Sequence, residues 1–439
     1  MSVAARLPPV LRHRGFVAFW TGVVFSQVGV RASFAANLYH VYELTGSTVQ
    51  VGFVGIAQAV ALFLLSPIGG VVADRLDRRR LIQATQLVSM VFSLGLAILT
   101  LTGNAELWHI LVTVSLNTAT ATFDAPARSA LIPALVPRDE LPQAFALLTP
   151  SKELAILVGP ALAGVLIAIG GPGLVYAVDA ATFVVLIVIL GLLRVPPLEV
   201  ELPGTSVWTS MAAGARELRR RPIIWQLMSL DVSATMFGAY QVVLPALALD
   251  VLDVGPTGYG LLGSAPAAGA LVATVVILRL LRTRPAGHLV LWATVGYGVL
   301  CIALAQSTWF GLALAAALGV GAADALGASI RAAAVQVETP DALRGRVTSL
   351  YQMAARGGPA LGQANIGWVS GFLGPVGALT AGAVVPITLA MAHAVVGGTV
   401  RDYRLPGARA AEPDEPEADS DGDLPERSSG PEEPEDVGS

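Results

Sequence analysis

Ionisable side chains inside long apolar stretches are the residues of this 439-residue chain that are most able to do chemistry. Asp231 has Thr235 on the same helical face, and Asp324 and Glu153 interrupt two other apolar stretches. A charged side chain at the centre of a bilayer costs about 2.5–3.5 kcal/mol on insertion scales, so each such residue predicts a function. Burial favours the neutral form of a carboxyl group. We therefore predict Asp231 as the first candidate for a proton carrier, Asp324 as the second and Glu153 as the third.

Basic and amide side chains share one face of the first apolar stretch. Arg31 follows Gln27 by one helical turn, and Asn37 lies further along. We expect this face to line a water-filled substrate cavity, with Thr235 as a further lining residue and Arg31 taking part in proton translocation. The alternative for Arg31 is an ion pair with an acid on a neighbouring helix.

Each of the buried acids also has a structural alternative. Asp231 can reach the membrane interface, and Asp324 can neutralise Arg331, which lies seven residues further on. Asp179 is more typical of a structural role. Lys152 and Glu153 are adjacent, so their side chains point in different directions and they are not expected to be each other's partner.

The sequence lacks the residues and motifs that several classes of enzyme require. Cys301 is the only cysteine, and Lys152 is the only lysine and is not preceded by glycine, so there is no thiolate metal cluster and no phosphate-binding GxxxxGK[ST] loop. HExxH and GxSxG are absent, and the five histidines are scattered. An intramembrane enzyme is therefore a remote alternative. We expect no cofactor, no metal and no nucleic-acid partner.

The composition indicates that these residues lie in a membrane protein. Hydrophobic residues make up 54% of the chain and charged residues 13%, about half the charge of an average soluble domain. A membrane helix needs about 20 predominantly apolar residues. Twelve helices satisfy this requirement, at residues 16–39, 49–72, 81–102, 107–129, 142–169, 174–193, 223–248, 258–281, 287–305, 309–331, 345–370 and 375–397.

The loop charges predict the orientation. If the N-terminus lies in the cytoplasm, the loop arginines all fall on the cytoplasmic side, and the opposite loops carry only Glu43, Glu106, Asp250 and Asp253. Cytoplasmic loops characteristically hold an excess of Lys and Arg. We predict a multi-pass protein of the bacterial cytoplasmic (inner) membrane with both termini in the cytoplasm.

The longest cytoplasmic connection divides the chain into two halves. We predict a cytoplasmic segment at 1–15, six-helix bundles at 16–193 and 223–400, a linker at 194–222 and an acidic tail at 401–439. The tail holds twelve acids and one base after residue 410, and it is too polar to order itself.

Internal similarity supports the two halves. Arg128 and Pro137 are nine residues apart, as are Arg331 and Pro340, and Gly-Pro-Ala-Leu follows each pair, at 159–162 and 358–361. Paired six-helix repeats are typical of secondary transporters. The predicted fold class is an all-α integral membrane protein with twelve transmembrane helices in two six-helix pseudo-repeats.

The loop after the second helix resembles the G-x-x-x-D-R-x-G-R-R signature of the major facilitator superfamily. The matching residues are Gly70, Asp74, Arg75, Arg78 and Arg79, and Asp77 stands where the second glycine is usual. The resemblance implies the major facilitator fold and a gating region in which Asp74 and the bases latch the two halves in the outward-facing state. It also places Asp124 as a partner of the loop arginines, with Arg128 in the same region. Asp77 is expected to weaken the positive field of the loop.

The fifth helix is similar to the antiporter-associated G-P-x-x-G-G stretch. Gly159, Pro160 and Gly164 match it, and Ala163 replaces one glycine. The resemblance implies close helix packing that seals an exporter against proton leak. Ordinary packing of small residues is the alternative.

Further matches resemble the enterobactin (siderophore) exporter branch of the superfamily, which also includes macrolide-efflux-like proteins. They span about residues 14–400 and include Leu44–Ser47, Pro133–Val136 and Leu244–Ala248. The resemblance implies a proton-coupled exporter of small hydrophobic or amphipathic molecules of the drug or siderophore class. An uptake symporter of the same fold is the alternative. The expected partners are the lipid bilayer, a small-molecule substrate and protons, and the expected state is a monomer.

Overall fold

A computed structural model of the chain describes residues 8–193, 216, 220–283, 285–396 and 398–404. Within the helices, the side chains of residues 67–71, 73–75, 278, 281–283, 341, 342, 345, 346, 349 and 398 lie outside the described part. The described residues therefore include little of the predicted linker and only the start of the acidic tail. Gly70, Asp74 and Arg75 lie in a helix, but their side chains are outside the described part.

The first half of the chain forms a bundle of long helices. These are α1 (Arg14–Thr45), α2 (Thr48–Arg75), α3 (Arg78–Leu101) and α4 (Leu107–Leu131), followed by a long helical stretch, Leu141–Leu192. That stretch is broken at Gly170 and Gly171 into α5 (141–169) and α6 (172–192). Gly171 has a φ of 73°, in the left-handed region that favours glycine.

The second half repeats this arrangement. It contains α7 (Pro222–Phe237), α8 (Gly255–Thr283), α9 (Ala286–Ala305) and α10 (Phe310–Glu338), followed by the long stretch Asp341–Val396. Gly374, with a φ of 69°, divides that stretch into α11 (341–373) and α12 (375–396). The described residues thus hold twelve long helical segments.

Most of these helices have the length and apolarity that a membrane requires. Eight stretches of the described residues qualify as candidate spans, and two of them, Arg138–Leu192 and Leu350–Val396, contain the paired helices α5–α6 and α11–α12. Helices α1 and α4 are not among the eight because polar side chains are spaced along each. The count of twelve spans stays a prediction.

The seventh predicted helix, 223–248, is interrupted in the structure. Helix α7 ends at Phe237, and the chain continues through a 3-10 turn (Tyr240–Val242) and a π-helical turn (Leu247–Val251). The carbonyl groups released by the break accept hydrogen bonds from other helices. Tyr297 donates to Gly238 at 2.8 Å, and Asn365 donates to Met236 at 3.2 Å. Broken helices persist inside membranes only where such partners exist.

Among the described residues, the two bundles share a hydrophobic core at one end only. We call the end where α1 and α7 begin the terminal end, and the opposite end the far end. At the far end a single hydrophobic core runs through both bundles, from Ala32–Tyr42 of α1 to Val242–Ala248 and Tyr259. At the terminal end the cores are separate, because each contains residues of one bundle alone.

Glycines allow the close approach at the far end. A Cβ built on Gly52 of α2 would lie 2.8 Å from the Cα of Gly367 of α11, and one on Gly164 of α5 would lie 2.8 Å from the Cα of Gly260 of α8. Tyr259 of α8 donates a hydrogen bond of 2.8 Å to the carbonyl of Ala35, and Tyr42 donates to Asp250. The structure is therefore closed at the far end, and the bundles separate towards the terminal end.

Candidate functional site: a charged cavity between the bundles

A buried ion pair links α7 and α10. Arg331 Nη2 lies 2.6 Å from Asp231 Oδ1 and 3.6 Å from Asp324 Oδ1. Asp324 and Arg331 are seven residues, or two turns, apart on α10 and therefore share a face. The Arg331 side chain is 4% exposed and that of Asp231 10%, whereas that of Asp324 is 49% exposed. One base thus stands between a buried acid and an accessible one.

This geometry corrects one prediction about α10. The sequence predicts that the helix ends at Arg331, on the cytoplasmic side, but the helix continues to Glu338 and Arg331 is buried inside the bundle. For Asp231 of α7, the alternative of reaching the membrane interface does not apply, because its carboxylate is paired with Arg331. The alternative in which Asp324 contacts Arg331 is observed.

The opposite wall of the cavity is mainly basic. The charges of Glu153 and Arg356 act on Arg31, and those of Arg31, Arg356 and Glu153 act on Lys152. Glu153 of the first bundle also acts on Asp324 of the second. The charged residues expected inside the membrane, Asp179 apart, therefore come together between the bundles, with Arg31, Lys152 and Glu153 facing Asp324 and Arg356.

The polar face of α1 only partly lines this cavity. Gln27 is partly exposed, but Asn37 is 4% exposed and lies in the closed far-end region. The expectation that Asn37 lines a water-filled cavity is wrong for this structure, because the joined core covers it. Thr235 donates a hydrogen bond of 2.9 Å to the Asp231 carbonyl and lies against Gly358 of α11.

A second network lies at the terminal end of the first bundle. Asp124 pairs with Arg128 one turn along α4, and it accepts hydrogen bonds from Gln86 at 3.3 Å and Thr85 at 3.4 Å. Arg128 Nη2 also donates to the hydroxyl of Ser26 of α1 at 3.4 Å.

The loop arginines do not use Asp124 as their partner. Arg78 donates to the carbonyl of Ala130 at 3.0 Å, and Arg79 donates to that of Gly191 at 2.8 Å. The expected pairing of Asp124 with loop arginines is therefore absent among the described side chains, because Arg128 already occupies this acid.

Asp77 has a local role that the sequence reasoning missed. It is the N-cap of α3, and its carboxylate accepts a hydrogen bond of 2.9 Å from the backbone N–H of Arg80. Aspartate directly before a helix is a recognised N-cap signal. The departure from the superfamily signature thus satisfies a free N–H group at the helix start.

The repeat extends further than the sequence reasoning recognised. Trp20 and Ser26 of α1 are six residues apart, as are Trp225 and Asp231 of α7. Ser26 contacts Arg128 and Asp231 contacts Arg331, so the equivalent helices meet equivalent arginines in the two bundles. The equal spacing from each Trp to the residue that contacts the arginine is the sequence signal for this equivalence.

An apolar groove opens where α5, α8 and α10 meet. Its volume is about 570 Å³, and its lining residues are Leu157, Val158, Ala161, Leu162, Val165, Leu261, Ser264, Ala265, Ala268, Leu314 and Leu318. Gly159 and Gly164 are on the same helix, α5, and contact α1 and α8, respectively. The groove is large enough to hold a small apolar group.

Two six-helix bundles around a charged cavity define a membrane transporter of the major facilitator type. Residues 4–414 match the transmembrane secretion effector family, and the chain belongs to this family of the major facilitator superfamily. It is a multi-pass membrane protein. Since the family consists of transporters, the intramembrane enzyme alternative is removed.

Individual proteins agree with this assignment. Enterobactin exporter EntS of Citrobacter koseri is 29% identical over 401 residues, which are 90% of this chain and 94% of that protein. A bacterial homologue of the human lysosomal transporter Spinster, solved in an inward-facing and unoccupied conformation, has a TM-score of 0.69 at 14% identity and covers 90% of this chain and 97% of its own. The nucleoside transporter NupG has a TM-score of 0.71 at 14% identity, over 88% of this chain and 100% of its own. The two structures share the fold.

Proposed function

We propose that the protein is a proton-coupled exporter of small hydrophobic or amphipathic molecules of the drug or siderophore class. It moves them by alternating access, in which the two bundles open at one end and close at the other. Three features support the proposal: the charged residues between the bundles, the apolar groove between α5, α8 and α10, and the similarity to enterobactin exporters.

The arrangement of Arg331 between Asp231 and Asp324 is the observation that carries the proposal. Two acids and one base leave one negative charge in a site where Arg331 and Asp231 are buried and Asp324 is half exposed. Binding of one proton neutralises the cluster, and its release restores the charge. Because Asp324 is half exposed while Asp231 is buried, Asp324 is the group that exchanges protons with the cavity, and Asp231 holds Arg331 in place.

The position of the cluster suggests how protonation acts on the bundle. Asp231 is on α7 and Arg331 is on α10, so their ion pair joins two helices that flank the cavity. When Asp324 is protonated, Arg331 is bound by Asp231 alone. When Asp324 loses its proton, Arg331 is shared between both acids. Proton binding thus changes the relative strength of the two contacts of Arg331, one with Asp231 of α7 and one with Asp324 of α10.

The orientation completes the proposed cycle. With both termini in the cytoplasm, the structure is open towards the cytoplasm and closed at the outer face. Substrate enters the cavity or the groove from the cytoplasmic side, and the outward-facing state then releases it. The bases Arg31 and Lys152 of the first bundle and Arg356 of the second favour substrates that carry acidic or phenolic oxygens beside an apolar body.

Transport in everted membrane vesicles tests the direction. With an acidic interior, an exporter that exchanges substrate for protons accumulates enterobactin or ethidium, which represent the two substrate classes. Asp324→Asn is expected to lower gradient-driven accumulation by about tenfold or more, equivalent to at least ~1.4 kcal/mol. Asp402→Asn is the matched control, since Asp402 is exposed beside Arg401 outside the bundles.

An uptake symporter gives the opposite result in the same vesicles. It would carry the probe out of the acidic interior together with protons, and accumulation would not occur. Accumulation that is unaffected by Asp324→Asn would remove this acid from the coupling mechanism.

A further inference from the structure

Asp179 of α6 is a fully buried carboxyl group at the contact of α1, α3 and α6. Its exposed fraction is 0%, and Ser93 of α3 donates a hydrogen bond of 2.9 Å to its Oδ2 atom. Its Oδ1 atom lies against α1, where a Cβ built on Gly29 would be 2.8 Å away. Ser33 is one turn further along α1 and is also buried.

No basic side chain among the described residues forms an ion pair with Asp179. The other two buried acids differ in this respect, because Asp124 pairs with Arg128 and Asp231 with Arg331. A carboxylate without a cation is strongly disfavoured in such an environment. The surroundings of Asp179 therefore suit a neutral carboxyl group.

Two oxygen atoms at this contact lack hydrogen-bond partners. They are Asp179 Oδ1 and Ser33 Oγ, both buried. A serine hydroxyl donates to a carboxylate or accepts from a neutral carboxyl, so Ser33 suits Asp179 in either protonation state. When Oδ1 is protonated, its O–H donates to Ser33 Oγ while Oδ2 continues to accept from Ser93.

We propose that Asp179, with Ser33 and Ser93, forms a second proton-binding site, located inside the first bundle and separate from the cavity. The proposal is independent of the coupling role of Asp324 and Asp231. It rests on the complete burial of the carboxyl, on the absence of an ion-paired base among the described residues and on the two serine hydroxyls beside it.

The neighbours of Asp179 indicate a route towards the far end. Asn37 lies one turn beyond Ser33 on α1, and its Oδ1 atom is buried without a partner. Next along α1 is His40, whose Nδ1 lies 3.3 Å from the hydroxyl of Tyr176 on α6. His40 and Tyr176 are the titratable groups that face this region from α1 and α6, and α3 contributes the hydroxyl of Ser93. Polar side chains therefore extend from Asp179 towards the far end.

Proton binding at this site stabilises the contact between α1 and α6. Removal of the proton leaves a carboxylate against the backbone of Gly29, so deprotonation requires α1 to move away from α6 or water to enter. Movement of α1 within the first bundle is therefore linked to the proton on Asp179.

A sodium ion is the other ligand that buried oxygens of this kind can bind. Such an ion needs several oxygen ligands around a space of its own, and the close contact of Oδ1 with Gly29 leaves none. The proton is therefore the occupant that fits the structure, and sodium is a distinguishable outcome of the test.

Infrared difference spectroscopy of the purified full-length protein in nanodiscs measures the protonation state directly. The C=O stretching band of a protonated carboxyl is expected at neutral pH in the wild type. Asp179→Asn should remove this band, and Ser33→Ala should shift its frequency because the acceptor is lost. Asp124→Asn is the matched control and should leave the Asp179 band unchanged, since Asp124 lies in a separate contact with Arg128 on α4.

Thermal stability as a function of pH provides a readout that a purely structural role would not change. The stability of the wild type should fall as the pH is raised, because any state that exposes Asp179 can then lose its proton. Asp179→Asn, which can donate to Ser33 and accept from Ser93, should fold and lack this part of the pH dependence.

Two results would overturn the proposal. One is an infrared spectrum in which Asp179→Asn removes no protonated-acid band, which would mean that the group is ionised. The other is a wild-type spectrum in which sodium, but not potassium, shifts an Asp179 carboxylate band, which would identify a sodium site instead.

Discussion

Arg128 and Arg331 occupy equivalent positions in the two repeats, but the acids that pair with them come from different places. Asp124 is on the same helix as Arg128 and is further held by Gln86 and Thr85. Asp231 is on α7, whereas Arg331 is on α10. Movement of helices within the bundle can therefore break the second pair but not the first. This difference assigns a static role to the first network and a switching role to the second.

Removal of Asp124 tests the static role. Asp124→Ala leaves Arg128 buried without an acid and is expected to lower the free energy of unfolding by about 3–5 kcal/mol. The double variant Asp124→Ala with Arg128→Leu should recover most of this loss. Thermal unfolding of the purified variants measures both effects. If the single variant unfolds like the wild type, Asp124 does not have the structural role assigned to it.

The capping role of Asp77 predicts a smaller loss of stability than the removal of Asp124. Asp77→Ala should destabilise the start of α3 by about 1 kcal/mol, whereas Asp77→Asn keeps a capping side chain and Asp77→Gly should cost only a few tenths. Hydrogen exchange of the first turn of α3 reports the difference. Equal effects of the Ala and Asn variants would indicate that the charge of Asp77 matters rather than its hydrogen bond.

At the level of helices, sequence patterns predicted most of the elements but not their interruptions. The apolar run 223–248 contains no charge other than Asp231 until its end, so it predicts one continuous helix, yet the chain breaks after Phe237. The groups that stabilise the break, Tyr297 and Asn365, are on distant helices and give no local signal. Arg331 was misplaced for the same reason, since its burial depends on Asp231 of another helix.

The glycines of α2 and α11 control how closely the bundles meet at the far end. Gly52→Ala would place a methyl group 2.8 Å from the Cα of Gly367, so it is expected to force the far end open. Gly95→Ala is the matched control, because a Cβ at Gly95 meets no atom within 4 Å.

Accessibility of cysteines introduced at the two ends measures this shift. Cys301 is buried and contributes little background. Gly52→Ala should raise labelling at the far end and lower it at the terminal end, while Gly95→Ala should match the parent. Unchanged labelling in Gly52→Ala would show that this contact does not control closure.

At the level of the whole molecule, the sequence indicated the two bundles and the residues between them but not the conformation. The repeat of Arg-x8-Pro and of Gly-Pro-Ala-Leu predicts two similar halves, and charge in apolar stretches predicts a polar interior. Which end is closed depends on contacts between residues as distant as Tyr42 and Asp250. The sequence predicts Asn37 in the cavity. The closure of the far end buries this residue, and that closure has no local sequence signal.

The positions of the candidate site residues could be predicted to a similar degree, and their roles stay predictions. Asp231, Asp324, Glu153 and Arg31 were selected by their burial cost alone, and the structure brings them to the space between the bundles. The sequence could not show which acid is accessible to water, because that depends on which acid packs most closely against Arg331. The exposed Asp324 therefore replaces Asp231 as the group expected to exchange protons.

Two transport modes measured in the same vesicles separate proton coupling from alternating access. Exchange of a probe, enterobactin or ethidium, across the membrane without a pH gradient requires alternating access but no net proton movement. Accumulation driven by a pH gradient requires both. We expect Asp324→Asn to retain exchange and to lose gradient-driven accumulation. Loss of both modes together, or retention of both, would contradict the assignment of Asp324 as the coupling group.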